Sequence, residues 1–373
     1  MLIKLSKLNI LVYFWCMENN YIKSRGAQVN PTNRFIKKEV QKYYDDLPTH
    51  DEREDLALHN AKTKFIEVFP KTILNKVTSP DIGPAWSMNP YQGCEHGCTY
   101  CYARNSHEYW DYSAGMDFEQ NILVKKSAPK LLREALKNQK WKADAIMLAG
   151  NTDCYQPAER KFGITRELLE VFWEFRHPVG VITKNSLIER DVDILQKLAS
   201  ENLVRVTLSL TTLDEDVKRI LEPRTSSVRH VLRTIKELSN AGIGVNVNMA
   251  PIIPAINDHE IFELVRTVSE AGASSVNYTI VRLNGQLAQI FEDWIMKNMP
   301  DRANKVLNRI RAMHGGKLND SQYGRRMGGE GEWAELIKRQ FAMARLKFLQ
   351  GKSLPKLNYD LYEQYRGGQM KLF

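Results

Sequence analysis

The chain has 373 residues, 43% of them hydrophobic and 26% charged, which is typical of a globular protein with room for one or two domains. Five cysteines are too few to suggest a disulfide framework, and no apolar run reaches the roughly 18 residues that span a bilayer. The formal net charge is +9, and residues 301–373 carry 15 Lys and Arg against 7 Asp and Glu. That basic region suits a polyanion such as nucleic acid, although a solvated helical surface explains it equally well.

The N-terminal part of the chain is not predicted to be a domain. The first sixteen residues, MLIKLSKLNILVYFWC, resemble a short signal sequence, but no small-residue cleavage site follows them. Met17 opens a polar segment, so we expect translation to begin there and Cys16 to be irrelevant. Residues 1–80 are therefore predicted to form an N-terminal extension of a cytoplasmic protein without a membrane anchor.

Residues 81–290 alternate between β-prone and helical segments. The predicted strands lie at residues 86–91, 145–150, 178–183, 203–210, 242–250 and 274–281. The helical patterns between them have Ser127 and Thr165 as predicted N-caps and Gly242 as a predicted end. Strand–helix alternation predicts parallel strands with right-handed crossovers, in an open doubly wound sheet or an incomplete barrel. Residues 291–373 follow as a basic helical region, with long helical patterns at 290–316 and 330–351.

Polar residues stand at the ends of the predicted strands. They are Asn151, Thr152 and Asp153; Thr183, Lys184 and Asn185; Ser209 and Thr211; and Asn246 and Asn248. Because the carboxyl ends of parallel strands meet at one edge, we expect these groups to converge on one rim.

A cysteine-rich loop, NPYQGCEHGCTYCYAR, follows the first predicted strand and holds Cys94, Cys98 and Cys101. Zinc could take these three thiols with His96 or His107 as a fourth ligand. A ferredoxin-type cluster needs a fourth thiolate, for which Cys154 is the only candidate. The other reading is a 4Fe–4S cluster held by three thiolates, whose open iron can chelate a ligand that offers an amine and a carboxylate.

The spacing Cys-x3-Cys-x-Tyr-Cys, with Tyr100 as the aromatic residue, resembles the signature of the radical S-adenosylmethionine (radical SAM) superfamily. The segments GNTDCYQPAER, ITKNSLIERDVDIL, LEPRTSSVRHVLRTIKELSNAGI and APIIPAINDHE resemble its spore photoproduct lyase-like, or DNA-repair-photolyase-like, branch. The resemblance covers about residues 78–283. KSRGAQVNPTNRF and RRMGGEGEWAELI are similar to an uncharacterised subgroup of that branch.

The resemblance implies a partial (β/α)6 TIM-like barrel with a 4Fe–4S cluster and S-adenosylmethionine as cofactors. An electron from the cluster would cleave S-adenosylmethionine, and the resulting 5′-deoxyadenosyl radical would abstract hydrogen from a substrate. By position, Cys94, Cys98 and Cys101 would ligate the cluster, and Tyr100 would pack near adenine. The other implied contacts are Asn151, Thr152 and Asp153 at the methionyl amine, and Lys184, Ser209 and Arg224 at the methionyl carboxylate or ribose.

Spore photoproduct lyases use a cysteine as hydrogen donor, relayed through tyrosines beside the last cluster cysteine. Tyr100 and Tyr102 occupy those tyrosine positions here. The donor position aligns with Gly150, whereas Cys154 lies four residues later. Cys154 is thus predicted either to act as a displaced donor together with Tyr102, in a lyase-like DNA repair reaction, or to be an ordinary buried thiol.

Further partners are predicted from the C-terminal region. Its last residues, RGGQMKLF, place Gln369, Met370, Leu372 and Phe373 as in peptides that dock to bacterial sliding clamps, although a terminal apolar plug is equally consistent. Aromatic and basic residues alternate before this tail, which favours nucleic acid. The predicted electron donor is external, such as a flavodoxin or a ferredoxin. The alternatives are a radical SAM enzyme acting on a protein or small molecule, and a zinc-containing nucleic-acid-binding protein without catalysis.

Overall fold

A computed structural model describes residue 22 and residues 24–35, 63–83 and 85–365. The predicted leader 1–16, the predicted start at Met17 and the clamp-like tail from Gln369 to Phe373 lie outside these residues.

The described residues form ten strands in two sheets. The strands are β1 (Lys64–Glu67), β2 (Asn75–Lys76), β3 (Trp86–Met88), β4 (Tyr91–Gln92), β5 (Asn121–Val124), β6 (Ile146–Leu148), β7 (Val179–Thr183), β8 (Val204–Ser209), β9 (Val245–Ile252) and β10 (Ser275–Ile280). The main sheet has the order β10-β9-β8-β7-β6-β3-β2, and its strands from β3 to β10 are all parallel. Six parallel strands in chain order make a partial (β/α)6 barrel, as the resemblance implied.

The helices cover the outer face of this sheet or follow it. They are α1 (Asp117–Gln120), α2 (Ala128–Lys137), α3 (Glu159–Phe162), α4 (Ile164–Glu174), α5 (Val192–Ser200), α6 (Glu215–Leu221), α7 (Val228–Asn240), α8 (Ile261–Glu270), α9 (Leu287–Asn298), α10 (Pro300–Met313), α11 (Gly331–Phe348) and α12 (Asp360–Tyr365). Three 3₁₀-helices occupy Tyr102–Trp110, Ser186–Asp191 and Asp258–Glu260.

Helix α7 illustrates how the sequence positions these helices. Its buried residues Val228, Val231, Ile235 and Leu238 recur at spacings of three and four, so they form one apolar face. Burying each such side chain stabilises the fold by about 1.5–3 kcal/mol. Gly242 ends the helix as predicted, because its φ of 76° lies in the left-handed region that glycine adopts without strain.

Of the two predicted N-caps, Ser127 is at the N-cap position of α2 but makes no capping hydrogen bond, and the prediction for Thr165 is wrong. The Ser127 hydroxyl is buried without a hydrogen-bond partner among the described residues. Pro129 at the second helical position has no N–H group, so one of the two usual donors to a capping oxygen is missing. Thr165 lies inside the first turn of α4, where its hydroxyl donates to the carbonyl of Cys154 at 2.7 Å.

The long helical pattern at residues 290–316 is two helices and not one. Helix α9 ends at Asn298, and α10 begins at Pro300 after Met299, whose φ of −144° and ψ of 55° are not helical. Proline lacks the N–H group that a continuous helix would use, but it is favoured in a first turn.

A three-stranded sheet of order β1-β5-β4 lies beside the main sheet and was not predicted. Strand β1 belongs to the predicted N-terminal extension, and it pairs in parallel with β5, Lys64 opposite Asn121. Strand β4, which pairs with β5, has only two residues, too few for an alternating pattern to be recognised.

The C-terminal region packs against the barrel at two places. Residues 314–329 cover the edge strand β10 and continue past it: the N–H groups of Ile280 and Leu283 donate to the carbonyls of Met327 and Leu318 at 2.9 and 2.8 Å. Residues 350–365, here called the basal strap, cross the N-terminal end of the barrel. Within the strap, the Tyr362 hydroxyl donates to a backbone carbonyl of α2 at 2.6 Å and is fully buried.

In the part of the chain that the structure describes, no helix is both long and apolar enough to cross a bilayer. Among the same residues, no three His, Cys, Asp or Glu side chains are arranged to hold a metal ion.

Candidate active site

The cysteine loop lies directly after β4 and is mostly buried. Cys94 and Cys98 are each only 6% exposed, Cys101 is half-buried, and all three are free thiols. Burial raises the pKa of Cys94, and the carboxylate of Asp153 and the other two thiols raise it further. Cys101 packs against both of the buried clusters that contain Cys94 and Cys98, so the three residues lie in one part of the structure.

Backbone hydrogen bonds hold this loop from several directions. The Cys94 N–H group donates to the Phe118 carbonyl at 2.8 Å, and Thr99 N–H donates to Leu221 at 3.2 Å. The Gln156 side chain accepts from the Glu95 N–H group and donates to the carbonyl before Cys94, both at 3.0 Å. Four backbone groups of the loop are therefore held by partners elsewhere in the chain.

A fully buried ion pair attaches the loop to the N-terminal extension. Arg104 donates to the Cys98 carbonyl at 2.9 Å and pairs with Glu119 at 2.5 Å. The Glu119 carboxylate also accepts the N–H groups of Gly26 at 3.2 Å and Ala27 at 2.8 Å. Residues near position 26 are thus part of the site, although their sequence gave no indication of this role.

Asp153, predicted to bind the methionyl amine, already has four protein donors. One oxygen accepts from the Thr183 hydroxyl at 2.7 Å and Tyr155 N–H at 2.8 Å. The other accepts from Lys184 N–H at 2.7 Å and lies 3.3 Å from His96 Nδ1. Burial opposes ionisation, but His96 and the other hydrogen bonds hold the pKa of Asp153 below its ordinary value. The carboxylate therefore joins the ends of β6 and β7 to the cysteine loop.

Asn151 and Thr152 form the turn after β6. Both N–H groups donate to the Asn89 side chain, at 2.8 and 3.2 Å. The Thr152 hydroxyl donates to the Tyr91 carbonyl at 2.5 Å, and the Asn151 amide donates to Ser106 at 3.0 Å. The turn is thereby fixed to β4 and to the 3₁₀-helix that follows the cysteines.

Glu222 is a buried carboxylate that sequence reasoning missed. It accepts from the hydroxyls of Tyr100 and Thr211, and pairs with Lys218 at 2.6 Å and Lys184 at 3.3 Å. Burial opposes its ionisation, but the two lysines hold the pKa of Glu222 well below its usual range. Tyr100 and Lys184, predicted separately as cofactor contacts, are thus brought together by this carboxylate.

Arg224 and Glu95 form an ion pair at the site, with Arg224 Nη1 3.6 Å from Glu95 Oε1. Arg224 Nη1 and Glu95 Oε2, like Thr99 Oγ1 in the same loop, are buried and have no hydrogen-bond partner among the described residues. Buried polar atoms normally have partners, so an unsatisfied donor beside an unsatisfied acceptor favours a ligand that brings both a carboxylate and an ammonium group.

The two predicted catalytic residues lie in opposite environments. Tyr102 is 54% exposed, and its hydroxyl donates to the Gly150 carbonyl at the end of β6. Cys154 is fully buried in the main hydrophobic core, near the carboxylates of Asp153 and Glu159. The Cys154 thiol therefore lies in the core beneath the rim, in the surroundings of an ordinary buried thiol, and its role as a donor stays a prediction.

Of the other predicted rim residues, Ser209 and Asn248 lie at the rim and Asn246 lies just beneath it. Ser209 is buried at the carboxyl end of β8, opposite Asn248 in the register of β8 and β9. Asn246 is two residues below Asn248, opposite Thr207, and its amide donates to the Asn248 side chain at 3.0 Å. It is buried in the barrel interior, where it also accepts from Asn277 at 3.0 Å.

Basic and aromatic residues alternate between positions 323 and 347, and only some of these basic side chains lack an ion pair among the described residues. Arg325, Arg326 and Lys338 pair with Asp320, Asp81 and Glu335, and Phe341 is buried in the core. Arg339, Arg345 and Lys347 form no ion pair with any described residue.

A separate cation lies beside Tyr102. Arg282 follows β10, is half-buried, and makes no hydrogen bond or ion pair within the described ranges. Burial and the neighbouring Arg326 lower the pKa of Arg282, whereas the charges of Asp81 and Asp320 act in the opposite direction. A guanidinium without a hydrogen bond or ion pair among the described residues thus lies at the rim, where its charge acts on Tyr102.

Comparison with known families and sequences gives consistent matches. A family model described as the radical SAM superfamily matches residues 88–268. An uncharacterized protein of Mycobacterium tuberculosis is 31% identical over 240 residues, which cover 64% of this chain and 71% of that protein. An uncharacterized protein of Methanocaldococcus jannaschii is 27% identical over 250 residues, covering 67% and 89%.

Solved structures are similar in fold. A spore photoproduct lyase mutant with bound AdoMet and dinucleoside spore photoproduct has a TM-score of 0.60 at 16% identity, covering 80% of this chain and 84% of that chain. A spore photoproduct lyase complexed with dinucleoside spore photoproduct has a TM-score of 0.58 at 16% identity, covering 78% and 82%.

Proposed function

Because the chain belongs to the radical SAM superfamily, we propose that it is an enzyme that abstracts hydrogen from a nucleic-acid substrate, in a reaction of the spore photoproduct lyase type. The observation that carries the proposal is the juxtaposition, at one rim, of three pinned thiols, an unsatisfied donor–acceptor pair and an exposed tyrosine beside an unpaired arginine.

The cofactors of the superfamily are a 4Fe–4S cluster and S-adenosylmethionine. Membership of this superfamily therefore favours a cluster over zinc at the three cysteines. The donor set fits both groups. No three described His, Cys, Asp or Glu side chains converge on a single metal ion, but a cluster takes each thiolate at a different iron, so three free thiols in one loop suit it. The unsatisfied atoms of Arg224 and Glu95 complement an amino-acid zwitterion. When bound, the cluster supplies the electron that cleaves S-adenosylmethionine and yields the hydrogen-abstracting 5′-deoxyadenosyl radical.

Individual residues would bind the cluster and the two charged groups of the methionyl part. Cys94, Cys98 and Cys101 hold the cluster. Arg224 offers a guanidinium that can bind both oxygens of the methionyl carboxylate. Glu95 offers a carboxylate oxygen to the ammonium group, because the oxygens of Asp153 already have donors.

Other predicted residues would shape the same pocket. Asn151 and Thr152 provide the turn beside the amine, and Asp153 positions that turn. Tyr100 and Lys184, joined through Glu222, and Ser209 of β8 would line the adenosine part.

Support for nucleic acid comes from two sources. The spore photoproduct lyases that share this fold bind a dinucleoside. In this chain, Arg282 offers an unpaired cation for a phosphate, and Tyr102 offers an exposed ring and hydroxyl for a base or a transferred hydrogen. Cys154 would take part as a donor only if the core above it opens, so Tyr102 is the more accessible of the two predicted catalytic groups.

The protein partners are part of the same proposal. An external flavodoxin or ferredoxin would deliver the electron, and the tail from Gln369 to Phe373 would dock on a sliding clamp. A cytoplasmic location agrees with free thiols and an oxygen-sensitive cluster.

The deciding experiment is anaerobic incubation of the reconstituted protein with dithionite, S-adenosylmethionine and deuterated, ultraviolet-damaged DNA. We expect deuterium in 5′-deoxyadenosine, and no product from the Cys98→Ala variant. Cleavage of S-adenosylmethionine without label transfer would reject the DNA substrate and favour a protein or small molecule. A colourless, iron-free protein that leaves S-adenosylmethionine intact would reject the radical chemistry itself.

A further inference from the structure

A second polar cavity lies at the N-terminal end of the barrel, opposite to the cysteine loop. Its volume is about 620 Å³, within the range of roughly 300–1,000 Å³ that is usual for ligand sites. It is bordered by the start of β8 and β10 on one side, and by the end of α11 and the basal strap on the other. The C-terminal region therefore completes this cavity.

Three cations line the cavity. They are Arg205 of β8, Arg345 of α11 and Lys352 of the basal strap. Lys352 is fixed by hydrogen bonds to the carbonyl and hydroxyl of Ser269, at 2.7 and 2.9 Å. Arg345 is exposed and forms no ion pair among the described residues, so its guanidinium is free to turn toward a ligand.

Arg205 is the most constrained of the three. Its Nη2 atom donates to the Pro355 carbonyl at 3.3 Å, which holds the guanidinium at the cavity wall. Its Nε atom is buried and lacks a hydrogen-bond partner in the described part of the chain. A buried donor without a partner costs stability, so its presence favours an acceptor group that occupies the cavity.

The rest of the lining identifies the kind of ligand. The residues that line the cavity include no Asp or Glu, so nothing there neutralises the three cations. Ser274 and Ser275 add hydroxyl groups at the strand end. Leucine side chains, including the 72% exposed Leu346, form an apolar border suited to a sugar or base.

We propose that this basal cavity binds a phosphate-bearing ligand of mononucleotide size, its phosphate held by Arg205, Arg345 and Lys352. The phosphate would come from a free nucleotide or from the 5′ end of an oligonucleotide. Guanidinium groups bind phosphate oxygens in pairs, which favours phosphate over a simple halide ion. The inference does not depend on cluster chemistry, because no residue of the cysteine loop lines the cavity.

Isothermal titration of the full chain at low ionic strength tests it, with pyrophosphate, deoxyadenosine monophosphate and a 5′-phosphorylated hexanucleotide as probes. Arg345→Gln should weaken binding of each bound probe at least tenfold. Arg339→Gln is the matched control, because it removes an exposed arginine from the same helix but does not border the cavity; it should change binding less than twofold.

The probes distinguish the two sources. Binding of pyrophosphate and the mononucleotide indicates a free phosphate ligand, whereas binding of the hexanucleotide alone, lost when its 5′ phosphate is removed, indicates a nucleic-acid end. Either result supports the site. No saturable binding by any probe, or equal weakening in the two variants, overturns it.

Discussion

At the scale of single residues, Glu95 and Arg224 are distinguished by what they lack. Each has a buried polar atom without a partner in the described ranges, and the two side chains lie beside each other. Asp153, in the turn after β6, has the opposite property, because four donors surround its carboxylate. The difference between these carboxylates decides which one is available to a cation.

We expect Glu95→Gln and Arg224→Gln each to weaken binding of S-adenosylmethionine to the reconstituted protein by about ten- to a hundredfold. Each change removes one charge-assisted hydrogen bond, worth about 1.5–3 kcal/mol. Equilibrium dialysis under anaerobic conditions measures the affinity. Arg219→Gln, at an exposed arginine of α6, is the control, and iron content should stay unchanged in all three variants. Unaltered affinity in both site variants would show that the pair is not a ligand site.

The residues of this site differ in how far sequence could identify them. The spacing of Cys94, Cys98 and Cys101 is local, so it is visible without a structure. Glu95 and Glu222 have no such pattern, because their importance comes from partners on distant elements. Sequence left Cys154 as either a displaced donor or a buried thiol, because the direction of a side chain beyond a strand end is set by tertiary packing.

At the scale of elements, the N-terminal segment supports the cysteine loop by very close contact. A Cβ atom on Gly26 would lie 1.6 Å from the carbonyl oxygen of Gly97, well inside contact distance. Only a residue without a side chain permits this approach.

Gly26→Ala should therefore separate the segment from the loop. We expect the free energy of unfolding to fall by about 2 kcal/mol or more, and the iron incorporated on reconstitution to fall by more than half. Gly83→Ala is the matched control, since no atom lies within 4 Å of a Cβ atom there. Urea unfolding and iron analysis measure the two effects; equal results for the two variants would contradict the proposed support.

His177, between α4 and β7, is a buried histidine that contacts the basal strap. Its Nε2 accepts from the Trp141 indole at 3.1 Å, its Nδ1 lies 2.9 Å from the Pro178 carbonyl, and its ring contacts Tyr362 edge-on. Burial lowers the pKa of His177 to about 4. Below the ordinary histidine pKa of about 6.5, the unfolded chain binds a proton that the folded chain does not.

Stability from His177 should thus be complete above about pH 6.5 and decrease as the pH falls toward 4. The loss is up to about 3 kcal/mol, at about 1.4 kcal/mol per pH unit. Urea unfolding of the wild-type protein and His177→Gln at pH 7.5, 6.5 and 5.5 measures it. The difference in stability between them should shrink as the pH falls; a constant difference would show that His177 does not titrate in this range.

Element type was easier to predict than element ends. The six parallel strands were visible because apolar, β-branched runs alternate with amphipathic helices. The break between α9 and α10 was not predicted, because apolar residues continue at helical spacing on both sides of Pro300. That periodicity hid the preference of proline for the first turn of a new helix. Strands β4 and β5 were not predicted because their pairing with each other and of β5 with β1, and not their own pattern, defines them.

At the scale of the whole molecule, the C-terminal region is part of the folded body. It covers the edge of β10 and closes the N-terminal end of the barrel, so deleting residues 301–373 would remove Phe341 and expose the core around Tyr278 and Ile280 of β10, where Phe341 packs. Nucleic-acid binding is better tested by removing single charges.

Arg282→Gln should weaken binding of single-stranded DNA and reduce the slope of log affinity against log salt by about one, as expected for the loss of one phosphate contact. Fluorescence anisotropy over a series of salt concentrations measures both quantities. Arg302→Gln, at an exposed position of α10, should leave the slope unchanged. Identical slopes for the two variants would place the DNA elsewhere.

The main sheet also has two ends that do not meet: among the described residues, β10 pairs with β9 alone and β2 with β3 alone. Residues 314–329 bridge this gap: Met327 accepts from the N–H group of Ile280 on β10, and Arg326 pairs with Asp81, past β2, at 2.6 Å. A nucleotide would therefore reach the thiols over the rim, which requires the strand to bend there but not to end there. Covalently closed single-stranded circles should then react as readily as linear strands of the same sequence, and an absolute requirement for a free end would mean that the strand is threaded.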